Sequence, residues 1–166
     1  MFIAKLIKEI LKILQTDISP NQIAFGAAVG VFLGLVPGIA MKCVFFFLIL
    51  LLRVNIGSAL AACTLFGVLG LALDPAADKI GFFILNADSL VPFWTYLYNA
   101  EIIPLTNFNN SLVAGNIVLG IIFFAPVFFA SKKFISYYRT HWRDKVIKWR
   151  VTKLLTAGIL SHTILK

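Results

Sequence analysis

Between Glu101 and Lys132 the chain carries no charged residue. A hydrocarbon core about 30 Å thick is crossed by roughly 20 apolar residues in a helix. A stretch this long is therefore a buried core helix or a membrane span. Composition decides between them. The chain of 166 residues is 60% hydrophobic and 13% charged. Soluble domains average about 25% charged residues. Disorder is excluded by the high hydrophobicity, and a soluble interaction domain by the scarcity of charge. The expected fold class is an all-α polytopic membrane protein, one folded unit with four spans.

The first span is expected over 20–36. Ser19 can cap it, Pro20 suits the first helical position, and Gln22 completes a capping box. Pro37-Gly38 breaks it, and a second helix follows over 39–52. Both are short for a bilayer. They form a hairpin that either crosses a thinned membrane or is re-entrant, which requires shielding by protein or a water-filled cavity. Arg53-Val54-Asn55 leads to a third helix over 56–73, which Asp74-Pro75 is expected to end. Residues 74–110 then read as a cap of short interfacial helices, over about 76–85 and 89–99. They carry Trp94, Tyr96 and Tyr98, residue types that favour the headgroup level. Asn109-Asn110 precedes the fourth span, over 111–130, which Lys132 and Lys133 stop.

The ends are amphipathic. Residues 1–17 place Ile3, Leu6, Ile7, Ile10, Leu11 and Leu14 on one helical face, with Lys5, Lys8, Glu9 and Lys12 on the other. This is an interfacial helix, and those charges argue against a signal peptide. Residues 132–166 hold nine basic residues and one acidic one, so this tail carries the whole formal net charge of +8. Directly after an apolar run, such a tail is a cytoplasmic flank on anionic lipid rather than a nucleic-acid site. Lys132, Lys133, Arg139, Arg143, Lys148 and Arg150 are its membrane-surface residues. With both termini cytoplasmic, residues 74–110 lie outside.

Gly26, Gly30, Gly34 and Gly38 recur at every fourth position. The first three share a stripe of the first helix, the spacing that lets helices approach closely in lipid. The stripe is expected to serve tight helix packing, a partner's transmembrane helix included; the alternatives are a background of small residues or a groove left open for a lipid chain. Lys42, just after the Pro37 turn, is either a snorkelling lysine or a contact for a lipid phosphate, an anion or a carboxylate. Arg53 and Asn55 read as an anchor and a connection at the cytoplasmic face. Asp74 and Asp78 read as caps, one of them paired with Lys79 or Lys42; the alternative is a shared acidic site near Lys42, which needs Asp74 to be helical, and Pro75 argues against that. Asn109 and Asn110 read as a helix start or as buried amides holding an unwound segment.

Catalytic chemistry is not evident. There is no HExxH, GxSxG or Walker motif. Cys43 and Cys63 have no metal spacing, and His141 and His162 lie in the basic tail. The expectation is a non-enzymatic protein with no cofactor and no metal.

Ser19-Pro20, the Gly26/Gly30/Gly34 stripe, Pro37, Arg53-Val54-Asn55 and Asp74-Pro75 together resemble a family of small bacterial membrane proteins, the domain-of-unknown-function family 2062. The stretch Trp94-Thr95-Tyr96-Leu97-Tyr98-Asn99, with Leu105-Thr106 and Phe108-Asn109-Asn110, is similar to one compact subgroup. The resemblance covers about residues 10–150. It implies an inner-membrane protein of the Gram-negative type, and no active residue carries over. For the subgroup it also implies a partner, a large membrane-anchored periplasmic protein of the bridge-like lipid-transfer type. Ile39 and Ala40 depart from the more polar turn that the family leads one to expect.

Two functions follow as expectations. The first is a subunit or anchor for that larger partner in phospholipid transport across the envelope, in contact with membrane lipids. Substituting Gly30 by Leu would then release the partner while the protein still inserts. The second is a small homo-oligomeric channel or transporter for an anion or lipid, since interrupted helices often bind substrate near the midplane.

Overall fold

The computed structural model describes residues 18–52 and 54–141. The expected amphipathic helix over 1–17, Arg53, and the tail beyond His141 with Arg143, Lys148 and Arg150 lie outside the described residues. Five α-helices form the described fold. They are α1 (Pro20–Leu35), α2 (Ile39–Leu51), α3 (Ile56–Leu85), α4 (Val91–Tyr98) and α5 (Ser111–His141). Single 3-10 turns, Asp88–Leu90 and Ile103–Thr106, flank α4.

Helix α1 starts where its cap chemistry puts it. Ser19 Oγ accepts the Gln22 N–H at 3.3 Å, and Pro20 occupies the first turn, where an N–H has no helical partner. It ends at Pro37, which has no N–H to give to Leu33. The Val36 N–H closes the last turn on Phe32 O. Gly38 then takes φ +87°, a left-handed value that suits glycine, and α2 turns back. At the far end of the hairpin the Asn55 N–H donates to Gln22 O at 3.4 Å. The chain therefore returns to the level at which α1 began before α3 starts.

Helices α1, α3 and α5 pack against one another along their lengths, and α2 is attached at the side. The start of α1 meets both the start of α3, at Asn55, and the end of α5, where Ile23 packs on Ile135 and Tyr138. So α1 and α3 run parallel, with α5 antiparallel to both. The core between them is layered. Val31, Leu35, Phe66, Ala77 and Leu119 form one cluster. Val29, Leu33, Ile49 and Ala59 form another, through which α2 joins the bundle. Phenylalanine rings tie α1 to both of its other neighbours: Phe25 stands edge-on to Phe124 of α5 at 5.6 Å between centroids, and Phe32 stacks on Phe45 of α2 at 4.7 Å. On α2 only one narrow stripe turns inward, through Met41, Phe45 and Ile49 at four-residue spacing.

Two expected boundaries are corrected. The third helix does not end at Asp74-Pro75. It is 30 residues long and runs on to Leu85 with Pro75 inside it, taking in the separate helix expected over 76–85. An interior proline removes one helical hydrogen bond and typically costs about 3 kcal/mol. Here the ring sits on the exposed side, and the following turns are held by Ala77 and Gly81, both buried against α5. The interfacial cap consequently begins near Asn86 rather than at Asp74. The fourth helix likewise does not stop at Lys132. It runs 31 residues to His141, with Pro126 inside. Lysine is a good helix former, so the two lysines end the apolar band and not the helix.

The segment 86–110 folds back over the end of α3. Trp94 Nε1 donates to Ile84 O at 3.2 Å, and the Trp94 ring lies 6.2 Å from Phe108.

Candidate functional site

The glycine stripe is occupied by the chain's own α3. A β-carbon on Gly26 would stand 2.6 Å from Asn55 O, and one on Gly30 2.8 Å from Ala59 Cα. One on Gly34 would stand 2.7 Å from Cys63 O. Real β-carbons do not approach so closely. The stripe is thus an intramolecular helix seam. The close packing expected of the stripe is present, with α3 of the same chain, rather than a partner's helix or a lipid chain, filling the space. Gly38 does not belong to the seam: nothing lies within 4 Å of its would-be β-carbon, and its role is the turn.

A second close approach was not foreseen. Gly81 and Gly115 bring α3 and α5 together, such that a β-carbon on Gly81 would meet Gly115 N at 2.7 Å, and one on Gly115 would meet Ala77 backbone. Around this crossing sit the polar groups of the two long helices. Asp74 is not a cap. It lies inside α3, half-buried, and its Oδ1 accepts from Asn116 Nδ2 at 3.1 Å. Asp78, one turn later on the same face, accepts from the Ser111 hydroxyl. With α3 continuous through Pro75, the two acidic residues, four apart, share a helical face. Their partners are on α5, not Lys79 or Lys42.

Asn116 is the residue that sequence reasoning passed over as a site. Its side chain is 0% exposed, and its Oδ1 has no hydrogen-bond partner. Buried polar atoms are paired in the great majority of cases. The signal in the sequence was the one amide inside the span expected over 111–130.

The remaining residues fall into two groups at opposite ends of α1. Pro37, Gly38, Asn109 and Asn110 come together with Asn107 around an open cleft of about 550 Å³. Asn110 is the cap of α5, its Oδ1 accepting from Leu112 N at 3.0 Å and Val113 N at 3.2 Å. Lys42 is exposed in the first turn of α2, where its N–H donates to Gly38 O at 3.3 Å. At the other end, Asn55 caps α3: its Oδ1 accepts from Ser58 N at 2.7 Å, and its carbonyl accepts from Ser58 Oγ at 2.8 Å. Lys132 and Lys133 are exposed near the far end of α5, and Arg139 is half-buried there. No group of three His, Cys, Asp or Glu that could hold a metal occurs among the described residues.

Helices α3 and α5 are each long and apolar enough to cross a membrane, and only 28% and 33% of their most apolar stretches are buried within the chain. A core helix of a soluble protein is mostly buried, so this exposure favours membrane association. On α2, Val44, Phe46, Phe47, Leu50 and Leu51 face outward as well.

A three-helix seam of this kind, with a short hairpin beside two long apolar helices, defines a small helical protein of membrane type. Residues 4–143 match the model of the family described as "Uncharacterized protein conserved in bacteria (DUF2062)", and the chain belongs to that family. A relative from Treponema pallidum (strain Nichols), named "Uncharacterized protein", is 27% identical over 134 residues, covering 80% of this chain and 83% of its own. No solved structure matches the chain.

Proposed function

We propose that this protein is a non-enzymatic inner-membrane subunit that anchors a larger envelope partner, in the service of phospholipid transport. The observation carrying this reading is the division of labour among its helices. The glycine seam is spent inside the chain, while α2 touches the bundle along one stripe and leaves an apolar face of Val44, Phe46, Phe47, Leu50 and Leu51 outward. A rigid bundle with a side helix suits holding another membrane segment better than it suits catalysis.

In this account the hairpin crosses the membrane. Helix α1, at 16 residues, is roughly 24 Å long at 1.5 Å per residue. By the same rise, the charge-free part of α3 from Ile56 to Leu73 is roughly 27 Å, and Asn116 to Ser131 of α5, above the Asp74–Asn116 level, is roughly 24 Å. The apolar bands of the three packed helices match. A slightly thinned bilayer accommodates all of them at modest cost. Lys132 and Lys133 then lie on the cytoplasmic side, with the basic tail, and Pro37, Lys42 and segment 86–110 lie outside, in agreement with the positive-inside rule.

The test is purification from native membranes in mild detergent, followed by mass spectrometry of bound proteins and lipids. The account expects a stoichiometric large periplasmic protein, lost when Phe47 and Leu50 are replaced by Ala without loss of the folded chain. A homo-oligomer holding phospholipid and no partner would replace it by the second reading, a small transporter or channel. One observation favours that alternative: the Asp74–Asn116 pair places polar groups near the interrupted end of α1.

A further inference from the structure

The orphaned oxygen of Asn116 asks for a donor or a cation. Its amide nitrogen is already given to Asp74 Oδ1 at 3.1 Å, and its Oδ1 is fully enclosed without a partner. The two atoms of one amide are about 2.2 Å apart by covalent geometry, so the orphaned oxygen lies at most about 5.3 Å from Asp74 Oδ1, close enough for one small ion to touch both. Both are acceptors when the carboxylate is ionised. No Lys, Arg or His among the described residues hydrogen-bonds to Asp74, and the Asn116 amide that does is neutral.

The neighbourhood adds to the negative field. Leu35, the last residue of α1, shares a buried cluster with Ala77, and its α-carbon lies 3.9 Å from a would-be β-carbon on Gly70. Gly70 and Ala77 are the turns before and after Asp74. The carbonyl end of α1, the negative pole of its dipole, thus closes at the level of the carboxylate. Pro37 leaves Leu33 O without its ordinary helical donor. Asp78 stands one turn away.

We infer that Asp74 and Asn116 Oδ1 bind a monovalent cation of sodium size between α3 and α5. Its single charge balances the one carboxylate, whereas a divalent ion would want more acidic ligands than the described residues assemble. The backbone contact at Ala77 and Gly115, one turn away, leaves no room for an organic ammonium group at a fully buried oxygen. This site holds whether or not the chain anchors a partner.

The test uses the full chain purified in detergent and sodium chloride exchanged against choline chloride at constant ionic strength and pH. Melting is followed by tryptophan fluorescence. A ligand present at ten times its Kd should raise Tm by about 4 °C for a chain of this size. Asp74→Asn keeps the side-chain shape and should abolish the rise. Asn116→Ala should weaken the sodium response at least tenfold. Asp78→Asn should retain it. An absent sodium response in the wild type would overturn the inference, as would an equal response in Asp74→Asn. A Tm that follows pH and ignores sodium would also overturn it, assigning the space to a proton.

Discussion

Gly30 and Ala59 are in backbone contact: a β-carbon on Gly30 would stand 2.8 Å from the α-carbon of Ala59. The atoms that would have to move belong to main chain, and two helices would have to separate. Overpacking a core generally costs about 1–3 kcal/mol, occasionally more. Gly30→Ala should therefore destabilise the protein by at least about 2 kcal/mol, and Gly30→Leu should prevent stable assembly of the bundle. Unfolding in detergent by circular dichroism checks both. The result differs from a partner-binding role, in which a Leu variant would remain folded.

Gly67 supplies the contrast on the facing helix. The nearest atom to its would-be β-carbon is Gly34 O at 3.8 Å, an ordinary contact. Alanine there removes the helix-interior penalty of glycine, so Gly67→Ala should stabilise by up to about 1 kcal/mol. The pair of variants, measured side by side in the same denaturation assay, separates close approach from glycine content.

Pro75 gives a third prediction. It lies inside α3 on the exposed side, with the helix continuous on both sides of it. Replacing it by Ala restores the N–H to Leu71 O. The gain in the folded state is partly offset by a more flexible unfolded chain, leaving a net stabilisation of about 1–2 kcal/mol. A loss of stability on thermal melting would contradict the account of α3.

The helix starts were legible because they are local. Ser19-Pro20, Asn55 and Asn110 each carry their cap within three residues, and Pro37-Gly38 breaks the chain by its own backbone chemistry. The continuation of α3 past Pro75 was not legible, because it depends on Ala77 and Gly81 meeting α5 more than thirty residues away. The same crossing hid the site. Asp74 and Asp78 look like caps next to a proline, and only the contact with Asn116 and Ser111 turns them into an interhelical face. Gly26, Gly30 and Gly34 announced close packing, but spacing cannot say which helix is packed. Family membership was readable from the same residues, and it extends over 4–143.

The Asn110 cap offers a fourth prediction. It satisfies the Leu112 and Val113 N–H groups at the start of α5, beside the Pro37-Gly38 cleft. Asn110→Ala should cost about 1 kcal/mol, the usual value for a lost cap, whereas Asn110→Asp should retain most of the stability. Comparative thermal unfolding of the two variants is the check.

The most direct test of the central claim, that the α1–α2 hairpin crosses the membrane beside α3 and α5, is cysteine accessibility in intact cells whose outer membrane has been opened. Cys43 and Cys63 are first replaced by Ala. Ile39, which is 83% exposed beside the Pro37 turn, Asn109 and Asn21 are then changed to Cys one at a time. With a membrane-impermeant maleimide, the account predicts that Ile39→Cys and Asn109→Cys label from outside. Asn21→Cys should label only after the inner membrane is breached. Protection of Ile39→Cys alongside free labelling of Asn109→Cys would contradict it, since the hairpin tip would then lie within or behind the membrane.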